Sequence, residues 1–162
     1  MLQWQRALAV GGFLMFSTLG PGSLPELRAT YREQGWGEPM LPFIDMHDLG
    51  DMLVHAGFAD PVMDQELVTL TWPDSEALLR ELHGLGANVS PRRHAGLRTP
   101  RWRRRLLAAL AEQAVDGRPH LTFELVYGHA FKAAPRARVQ AQTSLSLDDM
   151  RSMIRTGKPP PT

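Results

Sequence analysis

The sequence predicts an α/β fold in which strands alternate with amphipathic helices, and three observations lead to it. Residues 11–17 begin with a glycine pair and continue as an apolar, strand-like run close to the first residue. A loop containing glycine and proline follows and leads into a helix at Pro25, which gives the strand–loop–helix unit of an open sheet. Strand-like and helical segments then alternate as far as residue 131. Ligands of open α/β sheets bind beyond the carboxyl ends of the strands, so we expect residues 17–23 to face a ligand crevice.

The segments before the second strand are predicted from apolar spacing and from glycine and proline. A short helix is predicted over residues 2–10, with Gly11 in the position where glycine commonly ends a helix. Residues 13–17 are continuously apolar, which is typical of a strand in a sheet covered on both faces. An amphipathic helix is predicted over residues 25–34, because proline is tolerated in a first helical turn.

Another helix and the second strand come after a loop rich in glycine and proline. The helix is predicted over residues 45–56, with Asp45 as its cap and Gly57 as its end. Its expected inward face carries Leu49, Met52, Leu53 and Ala56. Residues 61–72 alternate well enough to predict a strand, which Pro73 ends.

Two helices joined by a long basic loop are predicted after the second strand. The first is predicted over residues 74–83, where Asp74 or Ser75 is a favourable cap. The loop occupies residues 84–100, and the second helix is predicted over residues 102–115.

A final strand is predicted over residues 120–131, directly after an Asp-Gly turn. The order of the elements is typical of the carboxyl-terminal part of a doubly wound fold, with residues 74–115 inserted as a helical cap. We therefore expect one partial domain over residues 1–132. A mostly disordered tail is expected over residues 133–162, with one short helix that starts near Ser146.

The composition is that of an ordinary globular protein. The chain has 162 residues, of which 43% are hydrophobic and 22% charged, and its formal net charge is +1. It contains no cysteine, which excludes disulfides and thiolate metal sites and fits a reducing cytoplasm. No run approaches the ~20 apolar residues that span a bilayer, and the apolar start lacks a convincing cleavage site, so we expect no membrane partner.

The basic stretch, defined as residues 91–105, is the most uneven charge pattern in the chain. It contains no acidic residue, and its seven arginines are Arg92, Arg93, Arg98, Arg101, Arg103, Arg104 and Arg105. Such a run is often only a solvated surface, but it also suits contact with an acidic partner. Nucleic acid is the less favoured partner, because Trp102 is the only aromatic residue in the stretch.

Five segments carry motifs that point to one family. They are residues 11–28 (GGFLMFSTLGPGSLPELR), 43–50 (FIDMHDLG), 56–62 (AGFADPV), 79–88 (LRELHGLGAN) and 121–130 (LTFELVYGHA). In this order they resemble class I S-adenosylmethionine-dependent methyltransferases, beginning at the fifth strand of that fold. More narrowly, they resemble the enzymes of biotin synthesis that methylate a malonyl group on an acyl carrier protein. The resemblance covers residues 2–132.

The resemblance implies the carboxyl-terminal half of a doubly wound, Rossmann-like methyltransferase sheet with an inserted helical cap. It implies S-adenosylmethionine as the cofactor and an acyl carrier protein with a malonyl group as the partner. The glycine-rich turn and the ribose-holding acidic residue of the family have no counterpart in this sequence, so we assign no cofactor-binding residue. A separate amino-terminal half or a homodimer is the expected source of the missing part.

The implied chemistry needs positioning rather than a strong base. A carboxylate is already ionised at neutral pH, so the protein must align the oxygen with the methyl group and exclude water. An arginine fork suits recognition of that carboxylate. Catalytic residues stay unassigned, and the expected substrate contacts are Ser17, Thr18, Asn88, Arg92, Arg93, Arg98 and Arg101. Each has a structural alternative, since polar residues also satisfy strand ends and turns and arginines also form solvated surfaces.

Three interpretations remain open from the sequence. The chain is part of an active methyltransferase, a module that binds an acidic carrier protein without the methyl donor, or a truncated, non-catalytic fragment. The six histidines show no ligand spacing, so we expect no metal site.

Overall fold

The computed structural model describes residues 1–86, 88–134 and 147–156. The order of its strands and of the helices between them is the predicted one. The elements are α1 (Leu2–Ala7), β1 (Phe13–Leu19), α2 (Pro25–Glu33), α3 (Met46–His55), β2 (Ala59–Thr71), α4 (Ser75–Gly84), α5 (Pro100–Glu112), β3 (His120–Phe131) and α6 (Leu147–Thr156).

The three strands form one sheet in the order β1-β3-β2, in which the last strand of the chain lies in the middle. Both pairings with β3 are antiparallel, so β1 and β2 run parallel to each other on its two sides. The α/β class is therefore confirmed. Within the described residues every strand pairing is antiparallel, because the two parallel strands are separated by β3.

Several predicted caps are confirmed by the hydrogen bonds at the helix ends. The Asp45 carboxylate accepts from the His47 N–H at 2.8 Å, and the Asp74 carboxylate accepts from the Ala77 N–H at 2.7 Å. Thr99 caps α5 by accepting from the Trp102 N–H at 3.2 Å. Helix α5 therefore begins two residues earlier than predicted, and it ends at Glu112 rather than at residue 115.

The role predicted for Gly11 was wrong. Helix α1 ends at Ala7, and Gly11 lies beyond it with a φ of +79°, in the turn before β1. The Gly11 N–H donates to the Lys132 carbonyl, and the Lys132 N–H donates to the Gly12 carbonyl, both at 2.8 Å. The glycine pair thus extends the β1–β3 ladder instead of ending the helix.

Two apolar cores lie on opposite faces of the sheet. The first core contains Leu27 of α2, Leu78 of α4, Leu106 and Leu110 of α5, and Leu121 and Phe123 of β3. The second core contains Leu53 of α3, Phe58 and Ala130, with Leu14 and Phe16 of β1 against it. Of the inward face predicted for α3, Leu49 and Leu53 are buried, whereas Met52 is exposed to 44%.

One part of the sheet has no helix over it within the described residues. Phe13 and Met15 of β1 lie opposite Phe131 and His129 of β3, and Val62 of β2 lies on the other side of His129. Phe13, Met15, Val62 and Phe131 are all exposed, Met15 to 71%. We call these four side chains the uncovered patch. The expectation that both faces of β1 are covered is therefore wrong for the described chain.

The last helix confirms the short helix predicted in the tail, although its cap at Ser146 lies outside the described residues. The disorder predicted for the tail concerns mainly residues 135–146 and 157–162, and these residues also lie outside the described ranges. None of the helices in the described ranges is both long and apolar enough to cross a membrane.

Candidate functional site

An apolar cavity of about 480 Å³ lies at the carboxyl end of β1, where the sequence predicts a ligand crevice. Its walls come from the end of β1, α2, the loop before α3 and the end of α4. The lining includes Thr18, Leu19, Leu27, Met40, Phe43, Ile44, Leu82 and Asn88. No lining residue is acidic or basic, so this cavity suits an uncharged, flexible ligand.

Glu124 fixes the loop that leads from β1 into this cavity. It is buried in the middle of β3, and its carboxylate accepts the Gly22 N–H. The Ser23 hydroxyl donates to the Glu124 carbonyl at 3.1 Å and accepts from the Glu124 N–H at 3.0 Å. A Cβ atom on Gly20 would lie only 2.6 Å from the carboxylate carbon, so a larger residue here would displace the Glu124 side chain. Sequence analysis missed Glu124, although an acid within an apolar strand was a usable signal.

Asn88 ties two loops of the cavity wall together. Its amide nitrogen donates to the Pro39 carbonyl at 2.6 Å, and its amide oxygen accepts from the Ser90 N–H at 2.9 Å. The side chain therefore holds the loop before α3 against the segment after α4.

A second, basic cavity of about 610 Å³ adjoins the apolar one. Both cavities are lined by Leu27, Pro39, Leu82, Gly86 and Asn88, which form their common wall. The lining of the second cavity adds Arg80, Arg98, Arg103 and one acid, Glu76. Since Glu76 is bound to Arg103, this cavity offers an excess of positive charge beside an apolar one.

Three aromatic rings pack against one another at the basic cavity, and Tyr31 and Trp102 are part of its lining. The centroids of Trp36 and Trp102 are 5.4 Å apart, and Tyr31 contacts both rings edge-on. The Arg98 guanidinium lies 4.6 Å from the Trp102 centroid, within the range of a cation–π contact. Burial raises the pKa of Tyr31, and the charge of Arg98 opposes that rise, so this phenol is neutral at physiological pH.

The residues predicted to contact substrate fall into three groups. Thr18, Asn88 and Arg98 line the two cavities. Ser17 is exposed and lines neither of them, and Arg101 is exposed on α5. Arg92 pairs with Glu38 at 2.9 Å, and Arg93 donates to the Ser90 carbonyl at 3.2 Å. The substrate contacts of these residues stay predictions.

Metal-binding side chains do not converge in the part of the chain that the structure describes. In residues 1–86, 88–134 and 147–156, no three His, Asp or Glu side chains lie close enough together to hold an ion.

Comparisons with known proteins show which proteins this chain is similar to. No family model matches the chain. It is 43% identical over 138 residues to the malonyl-[acyl-carrier protein] O-methyltransferase of Nitrosospira multiformis, covering 85% of this chain and 45% of that protein. The protein of the same name from Gallionella capsiferriformans is 46% identical over 136 residues, with 83% of this chain and 47% of the relative covered. This chain is homologous to malonyl-[acyl-carrier protein] O-methyltransferases.

A third relative of this methyltransferase family extends the match further along the chain. The protein from Laribacter hongkongensis is 43% identical over 155 residues, which is 95% of this chain and 50% of the relative. The chain thus spans about half the length of the relatives it matches. The resemblance inferred from the five segments is confirmed, and the coverage fits its restriction to one half of the enzyme.

Proposed function

We propose that this chain is the substrate-binding half of an S-adenosylmethionine-dependent methyltransferase that acts on the malonyl group of an acyl carrier protein. The observation that carries the proposal is the apolar cavity at the carboxyl end of β1 with a basic cavity beside it. Acyl carrier proteins present their substrates on a long, flexible arm that is joined to the protein through a phosphate. An apolar cavity next to arginines suits such an arm.

The contribution of these residues to methyl transfer is to bind, orient and shield the substrate. The apolar walls around Leu27 and Leu82 displace water from the arm, which keeps the malonyl carboxylate in one position. Arg98 is the lining residue best placed for the negative charges, because Trp102 and the Trp36 carbonyl hold its guanidinium group. We assign no general base, since the reacting carboxylate is already ionised.

The two cavities do not fit the cofactor. S-adenosylmethionine carries a positive sulfonium and ammonium group and a ribose diol, which need acidic acceptors. The apolar cavity has no acidic lining residue, and the single acid of the basic cavity is occupied by Arg103. We therefore place the cofactor site outside these two cavities, and the cofactor supplies only the transferable methyl group in this proposal.

We further propose that the three strands are the carboxyl-terminal part of a doubly wound methyltransferase sheet, within a partial domain over residues 1–132. Residues 74–115 are its helical cap, since α4 and α5 form walls of the basic cavity. The outer edge of β1 pairs with no strand of the described chain, and the uncovered patch lies beside it. An edge of this kind favours association with the rest of the fold or with a second copy. The absence of cysteine supports a cytoplasmic location.

Titration calorimetry of the purified chain tests the proposal. We expect saturable binding of malonyl-pantetheine, which represents the substrate arm without its carrier protein. Leu82→Arg places a charge in the common wall and should abolish this binding. Leu67→Arg is the matched control, because Leu67 is exposed on β2 and lines neither cavity.

S-adenosylmethionine is titrated in the same way. We expect no saturable heat, since neither of the two cavities offers a free acidic acceptor for the cofactor. Saturable binding of the cofactor would contradict our placement of its site, and a folded chain that fails to bind malonyl-pantetheine would overturn the proposed substrate site.

A further inference from the structure

The seven arginines of the basic stretch separate into two groups. Five of them use their guanidinium groups within the chain, and their partners are Glu38 for Arg92, the Ser90 carbonyl for Arg93, the Trp36 carbonyl for Arg98, Glu76 for Arg103 and Gln34 for Arg105. Arg105 also lies over the Trp36 ring, at 5.4 Å from its centroid. These five arginines hold loops and helices together, so the charge run as a whole is not one binding surface.

Arg101 and Arg104 form the second group. Neither makes a side-chain hydrogen bond or an ion pair with any residue of the described ranges, and both are exposed. The buried residues of α5 are Leu106 and Leu110. At about 100° per residue, Arg101 and Arg104 lie on roughly the opposite side of the helix from Leu106. Both guanidinium groups therefore face away from the core.

The position of these cations opposes the helix dipole. Helices α2, α3 and α4 each have an acid in the first turn, namely Glu26, Asp48 and Glu76. Helix α5 has none, and its first turn carries arginines instead. Cations at a helix amino terminus are unfavourable, because the unpaired N–H groups there carry partial positive charge. A local conflict of this kind is typical of a functional surface, where a partner compensates for it.

A fully exposed apolar side chain lies just before these arginines. Leu97 is 97% exposed and sits three residues ahead of the start of α5. The basic cavity is lined by Arg98, Trp102 and Arg103. These residues are close in sequence to Arg101 and Arg104. A partner bound to the outer side of α5 would thus lie next to the cavity that we assign to the substrate arm.

We propose that Arg101 and Arg104, together with Leu97, form the docking surface for the acidic face of the carrier protein. This inference rests on the proposed function and assigns the protein–protein contact to these three residues, separately from the arm in the cavities. The two arginines pair with carboxylates of the carrier, and Leu97 supplies an apolar contact to the carrier. Such charge pairing mainly steers encounter and sets orientation.

The test compares two substrates of the full chain. One is the malonyl-loaded carrier protein, and the other is malonyl-pantetheine, which lacks the protein surface. The double variant Arg101→Glu/Arg104→Glu should raise the Kd for the loaded carrier about tenfold or more and flatten its salt dependence. It should leave the Kd for malonyl-pantetheine unchanged. Leu97→Ala should weaken carrier binding less than the double variant.

A matched charge reversal provides the control. Arg6→Glu/Arg118→Glu changes the net charge by the same amount at exposed positions outside α5. If both double variants weaken carrier binding equally, the effect is one of net charge and the docking surface is refuted.

The remaining outcomes separate this inference from the proposed function. Unchanged carrier binding by Arg101→Glu/Arg104→Glu would overturn the docking surface and leave the arm site intact. Failure of the unaltered chain to bind either substrate would overturn the proposed function itself. Loss of binding to a single-stranded oligonucleotide, with carrier binding retained, would assign the surface to nucleic acid instead.

Discussion

The two halves of β3 present the same face of the sheet to very different surroundings. At its start, Leu121 and Phe123 are buried beneath α2, α4 and α5 in the first core. Toward its end, Phe131 on the same face is 40% exposed, and its aromatic neighbours within the described ranges are Phe13 and His129. Alternation along the strand puts these odd-numbered residues on one side, so the difference comes from what covers them.

The comparison shows where the stability of the described chain resides. In the covered half, the apolar residues Leu121 and Phe123 of β3 are buried by helices of the same chain. The uncovered half exposes a run of apolar side chains on an unpaired edge, which favours association. We expect substitutions to separate the two halves clearly.

The largest effect is expected for Leu121→Ala in the covered half. Leu121 is fully buried, so the substitution should lower the free energy of unfolding by about 2–5 kcal/mol through lost burial and a residual cavity. Met15→Ala is the corresponding substitution in the uncovered patch. It should change the free energy of unfolding by about 0.5 kcal/mol or less. Urea unfolding followed by tryptophan fluorescence measures both. Equal losses would show that the two halves are equally covered in solution.

A smaller effect is expected for Gly128→Ala, on the opposite face of β3. A Cβ on Gly128 would collide with the Phe16 ring directly across the strand pair, so the substitution should cost about 1–3 kcal/mol. The control is Gly84→Ala at the end of α4, where an added Cβ meets nothing within 4 Å. The urea midpoints of the two variants measure the difference. If Gly128→Ala lowers the free energy of unfolding no more than Gly84→Ala does, the close packing of Phe16 against Gly128 is contradicted.

Acid should weaken the helices over the covered half slightly. Hydrogen bonds from Arg103 on α5 hold the pKa of Glu76 on α4 below its usual value. A carboxyl whose pKa is lowered by folding stabilises the fold at pH values above its unfolded pKa, and this contribution is lost as pH falls through the folded pKa. The Tm difference between the unaltered chain and Glu76→Gln should therefore shrink below about pH 4.5.

Glu112→Gln serves as the control for this pH series. Glu112 is exposed on α5 and forms no ion pair with the described residues, so its substitution should give no such pH-dependent difference. If Glu76→Gln and Glu112→Gln give the same pH profile, the Glu76–Arg103 pair does not contribute to stability.

The smallest effect on unfolding, but a clear effect on association, is expected for Met15→Lys. The side chain is already exposed, so its unfolding free energy should change by about 0.5 kcal/mol or less. A charge in the uncovered patch should suppress the concentration-dependent association that an apolar edge promotes. Sedimentation velocity over a range of concentrations measures this, with Leu67→Lys on β2 as the exposed control. Association that persists in Met15→Lys, or is lost equally in both variants, would exclude the patch as the contact.

Local features of the fold were predictable because they depend on residues within a turn of each other. The caps at Asp45 and Asp74 and the full extent of β3 follow from capping residues, alternation and the Asp-Gly turn. The position of Gly11 was not predictable, since its hydrogen-bond partner is Lys132 at the far end of β3. A glycine that follows a helical segment has the same local sequence whether it ends a helix or joins a sheet.

The candidate site was only partly predictable for the same reason. Sequence analysis predicted a crevice after β1, and Thr18, Asn88 and Arg98 line the cavities found there. It did not identify Glu124, which holds the loop after β1 from about a hundred residues away. Nor did it separate Arg101 and Arg104 from the other five arginines, because four of those five have partners on distant segments.

The sequence by itself determined the α/β class, the order of the elements, the basic stretch and the resemblance to a methyltransferase family. These features depend on periodicity, local hydrogen-bonding chemistry and motif order, all of which can be read from the amino-acid sequence. Only the tertiary structure decided that β3 lies between β1 and β2, that an apolar and a basic cavity share one wall, and that two arginines face outward. These depend on contacts between distant segments, and such contacts form only when the apolar faces are buried together.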